Sequence, residues 1–154
     1  MEKTTVRDIM TSPAIVITPD TSVPVASALM REHGIRHLPV VENGRLVGIV
    51  SRGDLREASI SASANADTYE FNFLLNQLTV GRLMTRRVIT ITTDAPIVHA
   101  AELMTERKIA GLPVVEPDGS VTGIITESDL LKMLVRKLRE AEEAQTDPNA
   151  AEPS

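Results

Sequence analysis

Apolar and polar positions follow an order along the chain that is stated twice. Ile15-Val16-Ile17 is a short β-rich run. Val23, Ala26, Leu29 and Met30 then fall at helical spacing and predict a helix over 23–32, with Asp20, Thr21 or Ser22 ahead of it to cap. His37 to Val41 reads as a strand, Asn43-Gly44 as a hairpin turn and Arg45 to Ser51 as the return strand. A second helix starts after Ser51. The order is strand, helix, strand, strand, helix.

The same order returns about 74 positions later. Val6-Arg-Asp-Ile-Met10-Thr11 answers to Val80-Gly-Arg-Leu-Met84-Thr85, and Ile15-Val-Ile17-Thr18-Pro-Asp20 to Ile89-Thr-Ile91-Thr92-Thr-Asp94. Leu29-Met30 answers to Leu103-Met104, and Leu38-Pro39-Val40-Val41-Glu42 to Leu112-Pro113-Val114-Val115-Glu116. After one inserted residue, Gly48-Ile-Val-Ser51-Arg-Gly-Asp54-Leu55 answers to Gly123-Ile-Ile-Thr126-Glu-Ser-Asp129-Leu130. The hairpin signal recurs as Asp118-Gly119. A copy of about 50 residues is too small to bury a good core alone. Two copies packing their apolar faces predict one pseudo-twofold domain.

Between the copies, Ser59 to Asn65 is small and polar and reads as a loose linker. Phe71, Leu74, Leu75 and Leu78 predict a helix over 69–78 that leads into the second copy. The last helix is predicted over 128–144, with Leu130, Leu131, Leu134, Val135 and Leu138 as its apolar stripe. The expected divisions are 6–58 for the first copy, 59–79 for the linker and connecting helix, 80–140 for the second copy with its helix, and 145–154 for a disordered tail.

Composition narrows the function. The chain has 154 residues and a net charge of -5, the wrong balance for a phosphate-backbone surface. It holds no Trp, one Tyr and two Phe, too few for stacking single-stranded nucleic acid. It has no Cys, so disulfides, thiolate metal sites and Cys nucleophiles are excluded. No apolar run reaches the roughly 20 residues that span a bilayer, and Met1 to Thr5 lacks a signal-peptide core. A soluble cytoplasmic protein, with no membrane or nucleic-acid partner, is expected.

The run Leu-Pro-Val-Val, a turn, then Gly-Ile-Val/Ile-Ser/Thr-x-x-Asp-Leu, present in both copies, resembles the CBS motif. The resemblance covers roughly residues 6 to 140. The segments Asp54-Leu-Arg-Glu-Ala-Ser and Phe73-Leu-Leu-Asn-Gln-Leu-Thr-Val80 are similar to the acetoin-utilisation B type of bacterial CBS pair. The resemblance implies an α/β fold in which two β-α-β-β-α repeats pack about a pseudo-twofold axis into one Bateman module. It also implies adenosine-type ligands in clefts between the copies: AMP, ADP, ATP, S-adenosylmethionine, NAD or cyclic di-AMP.

Carried over by position, Asp129, Thr126 and Ser128 serve one site, and Asp54 and Ser51 the other. An Asp at a helix start accepts from ribose hydroxyls, while a hydroxyl and free helix N–H groups take a phosphate. The base pockets are Ala14, Ile15, Ile35, Arg36 and His37 in copy one, and Val88, Ile89, Ile109, Ala110 and Gly111 in copy two. The family pattern pairs the Asp of one copy with the base pocket of the other. Pro39 and Pro113 are expected at strand edges that shape the cleft. Arg36-His37 is bulky and basic where Ala110-Gly111 is small, so two unequal sites are expected, with Arg36 and His37 supplying charge for an anion.

The plainer readings run alongside. Ser51-x-x-Asp54 and Thr126-x-x-Asp129 also match a capping box. Met10, Met30, Met84 and Met104 read as core fillers, and Arg86-Arg87 as a solvated turn. His33 and His99 have no companion at metal spacing, and no Gly-rich phosphate loop, nucleophile elbow or His-Glu-x-x-His helix appears. No catalytic residue and no metal site is assigned. The expected function is a regulatory sensor, a homodimer that signals to an enzyme or transporter. The alternative is a structural dimerisation module with no nucleotide ligand.

Overall fold

A computed structural model describes residues 4–64 and 67–146. Helix α1 spans Val6–Ile9 and α2 spans Val23–His33. Strands β1 (His37–Glu42) and β2 (Arg45–Ser51) follow, then α3 (Arg52–Ser63) and α4 (Thr68–Gln77). After one 3-10 turn at Val80–Arg82 come α5 (Ile97–Arg107), β3 (Gly111–Val115), β4 (Val121–Thr126) and α6 (Glu127–Thr146). The predicted helices and hairpins are all present, with ends shifted by a residue or two.

Three expectations change. Ile15–Ile17 and its counterpart do not form full strands. Ile17 bridges Val40 in parallel, and Ile91 bridges Val114. The Ile17 amide donates to the Pro39 carbonyl at 3.1 Å, and the Val41 amide donates back to the Ile17 carbonyl at 2.8 Å. In copy one Pro13 and Pro19 flank the run, and a proline offers no N–H to extend a ladder, but copy two makes the same single bridge without flanking prolines. The second change is at the linker. Helix α3 runs on to Ser63, so Ser59 to Ser63 is helical. The Ser59 hydroxyl donates to the Leu55 carbonyl at 2.9 Å, and the Ser63 hydroxyl to the Ile60 carbonyl at 2.7 Å. Those bonds satisfy the small polar side chains on the helix itself. Third, of the expected tail, Gln145 and Thr146 are the end of α6, and 147–154 lie outside the described residues.

Each hairpin is a two-stranded antiparallel sheet, and the two registers correspond: Pro39 faces Ile49 and Pro113 faces Ile124. The turn residues Asn43 (φ 52) and Gly44 (φ 76) occupy the left-handed region that a tight hairpin requires.

There are two cores, and each is closed by a piece of the other copy. The first gathers Val23, Ala26 and Met30 of α2, Leu38 and Val40 of β1, Val50 of β2 and Leu55 of α3, together with Val80 and Met84 from copy two. The second gathers Ile91, Ala100, Met104, Leu112, Val114 and Ile125, together with Val6 from copy one. Val6 and Val80, equivalent in sequence, are both fully buried. The backbone seals the exchange. Val6 N–H donates to Ala95 at 2.9 Å, and Val80 N–H donates to Thr21 at 2.8 Å. Thr11 exchanges two backbone hydrogen bonds with Ile124 (2.8 and 3.0 Å), and Thr85 does the same with Ile49 (2.9 and 3.0 Å).

Two glycines allow this approach. A Cβ at Gly123 would sit 2.7 Å from the Thr11 carbonyl oxygen and 2.9 Å from Met10 Sδ. A Cβ at Gly48 would overlap the Met84 side chain and lie 3.1 Å from the Thr85 carbonyl oxygen.

Candidate functional site

The two Asp residues sit in matching first turns. Ser51 caps α3, with Asp54 N–H donating to Ser51 Oγ at 3.1 Å and Ser51 N–H donating to Asp54 Oδ2 at 2.8 Å. At α6, Thr126 donates to Asp129 Oδ2 from its amide (2.9 Å) and its hydroxyl (3.2 Å). The reciprocal capping box is complete at Ser51 and Asp54, whereas at Thr126 the carboxylate half is made, with Asp129 accepting from the Thr126 amide. Asp129 has one contact more: Thr11 Oγ1 of copy one donates to its Oδ1 at 3.1 Å. That bond holds the second-copy carboxylate against the segment carrying Ala14 and Ile15.

A cleft of about 420 Å³ opens there, within the range typical of small-molecule sites. Its walls bring together Ala14, Ile15, Ile35, Arg36 and His37 of copy one with Ala110, Thr126, Ser128 and Asp129 of copy two. The cleft thus joins the Asp of one copy to the base pocket of the other. Thr11, Pro13, Gly34, Ile124, Glu127 and Lys132 also line it without being expected there, as does His33, which the sequence raised only as a metal ligand. Lys132 follows Asp129 by one helical turn, a spacing that placed it on the same face. Thr11 was aligned with Thr85 in the repeat but carried no chemical signal of its own.

The remaining candidates lie elsewhere. Ile89 and Ile109 pack partly buried against the second core, and Val88 is half-buried nearby in sequence. Ser51 lines a separate cavity of about 270 Å³ with Arg36, His37, Arg52, Gly53 and Arg56. Pro39 and Pro113 are fully buried, so they act inside the sheets rather than on a cleft edge. Gly111 does not leave open room. A Cβ there would come within 3.2–3.3 Å of the His37 ring, which fills the space.

That contact alters the electrostatics expected at His37. Burial pushes its pKa below the ordinary 6.5; Asp54 and Glu127 oppose the shift and Arg36 adds to it. At neutral pH the ring is uncharged, so it does not supply the cation expected of it. Arg36 is exposed and remains to do so. Its carbonyl accepts from the Arg52 amide at 2.8 Å, which brings the start of α3 beside it.

A third cavity, about 530 Å³, lies between α2 and α3. Arg31, Arg36, Arg52 and Arg56 line it with Gly34, Ile35 and a few neutral neighbours. Among the described residues, no group of three or more His, Asp or Glu is placed to hold a metal ion. No described helix is long and apolar enough to cross a membrane.

Comparison with known proteins decides the family. The CBS domain pattern matches residues 6–61 and 80–136. The chain belongs to the CBS domain family. Its fold is the mixed α/β arrangement of two CBS repeats. The CBS domain pair of protein MJ0100, in complex with 5′-methylthioadenosine and S-adenosyl-L-methionine, is 33% identical, with a TM-score of 0.74 over 88% of this chain and 99% of that one. A putative acetoin utilization protein, AcuB, from Vibrio cholerae is 30% identical, with a TM-score of 0.76 over 96% of this chain and all of that one (100%). CBSX2, in complex with AMP, is 31% identical, with a TM-score of 0.71 over 86% and 96%. Among curated relatives, the L-aspartate semialdehyde sulfurtransferase of Methanocaldococcus jannaschii is 34% identical over 131 residues. Those residues are 84% of this CBS pair and 23% of the enzyme, so the likeness spans about a quarter of that relative's length.

Proposed function

We propose that this CBS pair is a non-catalytic sensor that binds an adenosine-containing ligand, AMP, ADP, ATP or similar, in the cleft beside Asp129. The observation that carries this reading is the meeting of Ala14, Ile15 and Ile35 of one copy with Thr126, Ser128 and Asp129 of the other. Aliphatic side chains offer faces to an adenine. The Asp129 carboxylate accepts two bonds from Thr126 on Oδ2 and one from Thr11 on Oδ1, which leaves one lone pair on Oδ1 for a ribose hydroxyl. AMP and S-adenosylmethionine in the related CBS pairs support the ligand class.

A ligand that touches both copies favours the state in which they are held together, and so biases any contact sensitive to their spacing. The contact we propose is a homodimer through α6, where Leu131, Leu134, Val135 and Leu138 are exposed. A cytoplasmic setting and a partner enzyme or transporter fit this role. Enzyme relatives share this module over a quarter of their length, which supports a regulatory part attached to catalytic ones.

Calorimetric titration of the chain with AMP, ADP, ATP, NAD, S-adenosylmethionine and cyclic di-AMP tests the reading. One ligand is expected to bind, and Asp129→Ala is expected to lose at least about 2 kcal/mol of that binding, the scale of a charged hydrogen-bond acceptor removed from a cleft. A folded protein that binds none of them favours the second reading, a purely structural interaction module. The observation on that side is that Asp54 and Asp129 are both already engaged by their own helix caps.

A further inference from the structure

The three cavities around Arg36 are neighbours that share lining residues. Gly34, Ile35 and Arg36 line both the Asp129 cleft and the α2–α3 cavity. Arg36, Arg52 and Arg56 line both the α2–α3 cavity and the smaller one at Ser51. In a chain of net charge -5, the α2–α3 cavity therefore collects four guanidinium groups, and neither basic cavity has an Asp or Glu in its lining. Four like charges around one space make it favourable for an anion to enter between them. Guanidinium forks match phosphate oxygens in pairs, and the first turn of α3 adds the positive end of a 12-residue helix.

We propose that the arginine-lined cavity is a polyphosphate subsite, entered from the adenosine cleft past Arg36, and that the ligand is a nucleoside di- or triphosphate. The inference rests on the cleft reading for its nucleoside half. The subsite is built from Arg31, Arg52 and Arg56, with Arg36 at the junction. A nucleoside alone leaves it empty, a monophosphate reaches the junction, and a longer chain engages Arg52 and Arg56. Affinity therefore rises with each phosphate added.

The test is calorimetry of the full chain with adenosine, AMP, ATP and inorganic tripolyphosphate, comparing wild type with Arg52→Gln plus Arg56→Gln. Both side chains are exposed and away from the cores, and far-UV circular dichroism checks that the variant folds. ATP is expected to bind wild type at least about tenfold tighter than AMP, and the double variant to abolish that advantage while adenosine binding is unchanged. Tripolyphosphate is expected to bind wild type and to lose about tenfold or more in the variant. ATP binding no tighter than AMP, or an advantage that survives in the variant, overturns the proposal. If adenosine and AMP fail to bind, the sensor reading falls, and tripolyphosphate decides the subsite alone. Its binding to wild type and loss in the variant keep the subsite; equal binding to both, or to neither, removes it.

Discussion

His37 illustrates how a side chain can be right in place and wrong in charge. Its neighbour Arg36 and its position before Leu-Pro-Val-Val suggested a cation for phosphate. The ring instead lies against Gly111, its own counterpart in the other copy, and burial drives it to the neutral form. In the unfolded chain His37 titrates near 6.5, and in the fold it titrates lower. Between those two values the unfolded chain holds a proton that the folded chain does not. Its contribution to stability is therefore whole above 6.5 and is lost as pH falls from 6.5 to the folded value. Urea unfolding at about pH 7.5 and about pH 5.5 should show the wild-type midpoint falling, and His37→Gln falling less. Equal falls would mean that the ring is not held neutral. Asp8, Asp20 and Asp118, each held below 3.8 by local hydrogen bonds, act in a separate window below that value. The Ser/Thr-x-x-Asp spacing was legible because capping geometry is local in sequence. The environment of His37 was not, because it depends on a contact 74 positions away.

At the level of elements, the helices and hairpins were legible from periodicity and turn residues. Strand one of each copy was not, because Ile17 and Ile91 join their sheets by a single bridge that no local pattern specifies. Composition also misled at Ser59 to Ser63, where serines that suggest a loop return their hydroxyls to the helix backbone. The glycines at Gly48 and Gly123 gained their meaning only from the fold. They sit in strands, where glycine is usually a weakness, yet each admits a neighbouring segment of the other copy. Gly123→Ala must displace the Thr11 backbone, because a carbonyl oxygen 2.7 Å away cannot rotate aside. A loss of about 1–3 kcal/mol is expected in urea denaturation. Gly48→Ala is expected to cost less, since the Met84 side chain can change rotamer, although the Thr85 carbonyl still limits it. A Gly123→Ala variant as stable as wild type would argue against the close approach.

For the whole molecule, the repeat predicted a pseudo-twofold unit, and two symmetric halves are present. The way they combine was beyond the sequence. Val6 and Val80 are plain valines in matching places, and nothing local to them says that each completes the opposite core. The outer face of α6 is a separate matter. Leu134 and Leu138 are 47% and 56% exposed, and the proposed homodimer would cover them. Leu134→Glu plus Leu138→Glu is expected to shift the protein from dimer to monomer in sedimentation velocity while leaving its circular dichroism unchanged. A monomeric wild type would remove that interface from the proposal.

The mutual closure of the cores also fixes what a copy is worth by itself. A polypeptide ending near Ala64 would carry a first core missing Val80 and Met84, and one starting near Asp67 would carry a second core missing Val6. Each fragment holds the plug that the other lacks. Cut at that point, the two halves are expected to stay unfolded apart and to regain structure when mixed, as circular dichroism of the separate and combined fragments would show, because a covalent link otherwise supplies their effective concentration.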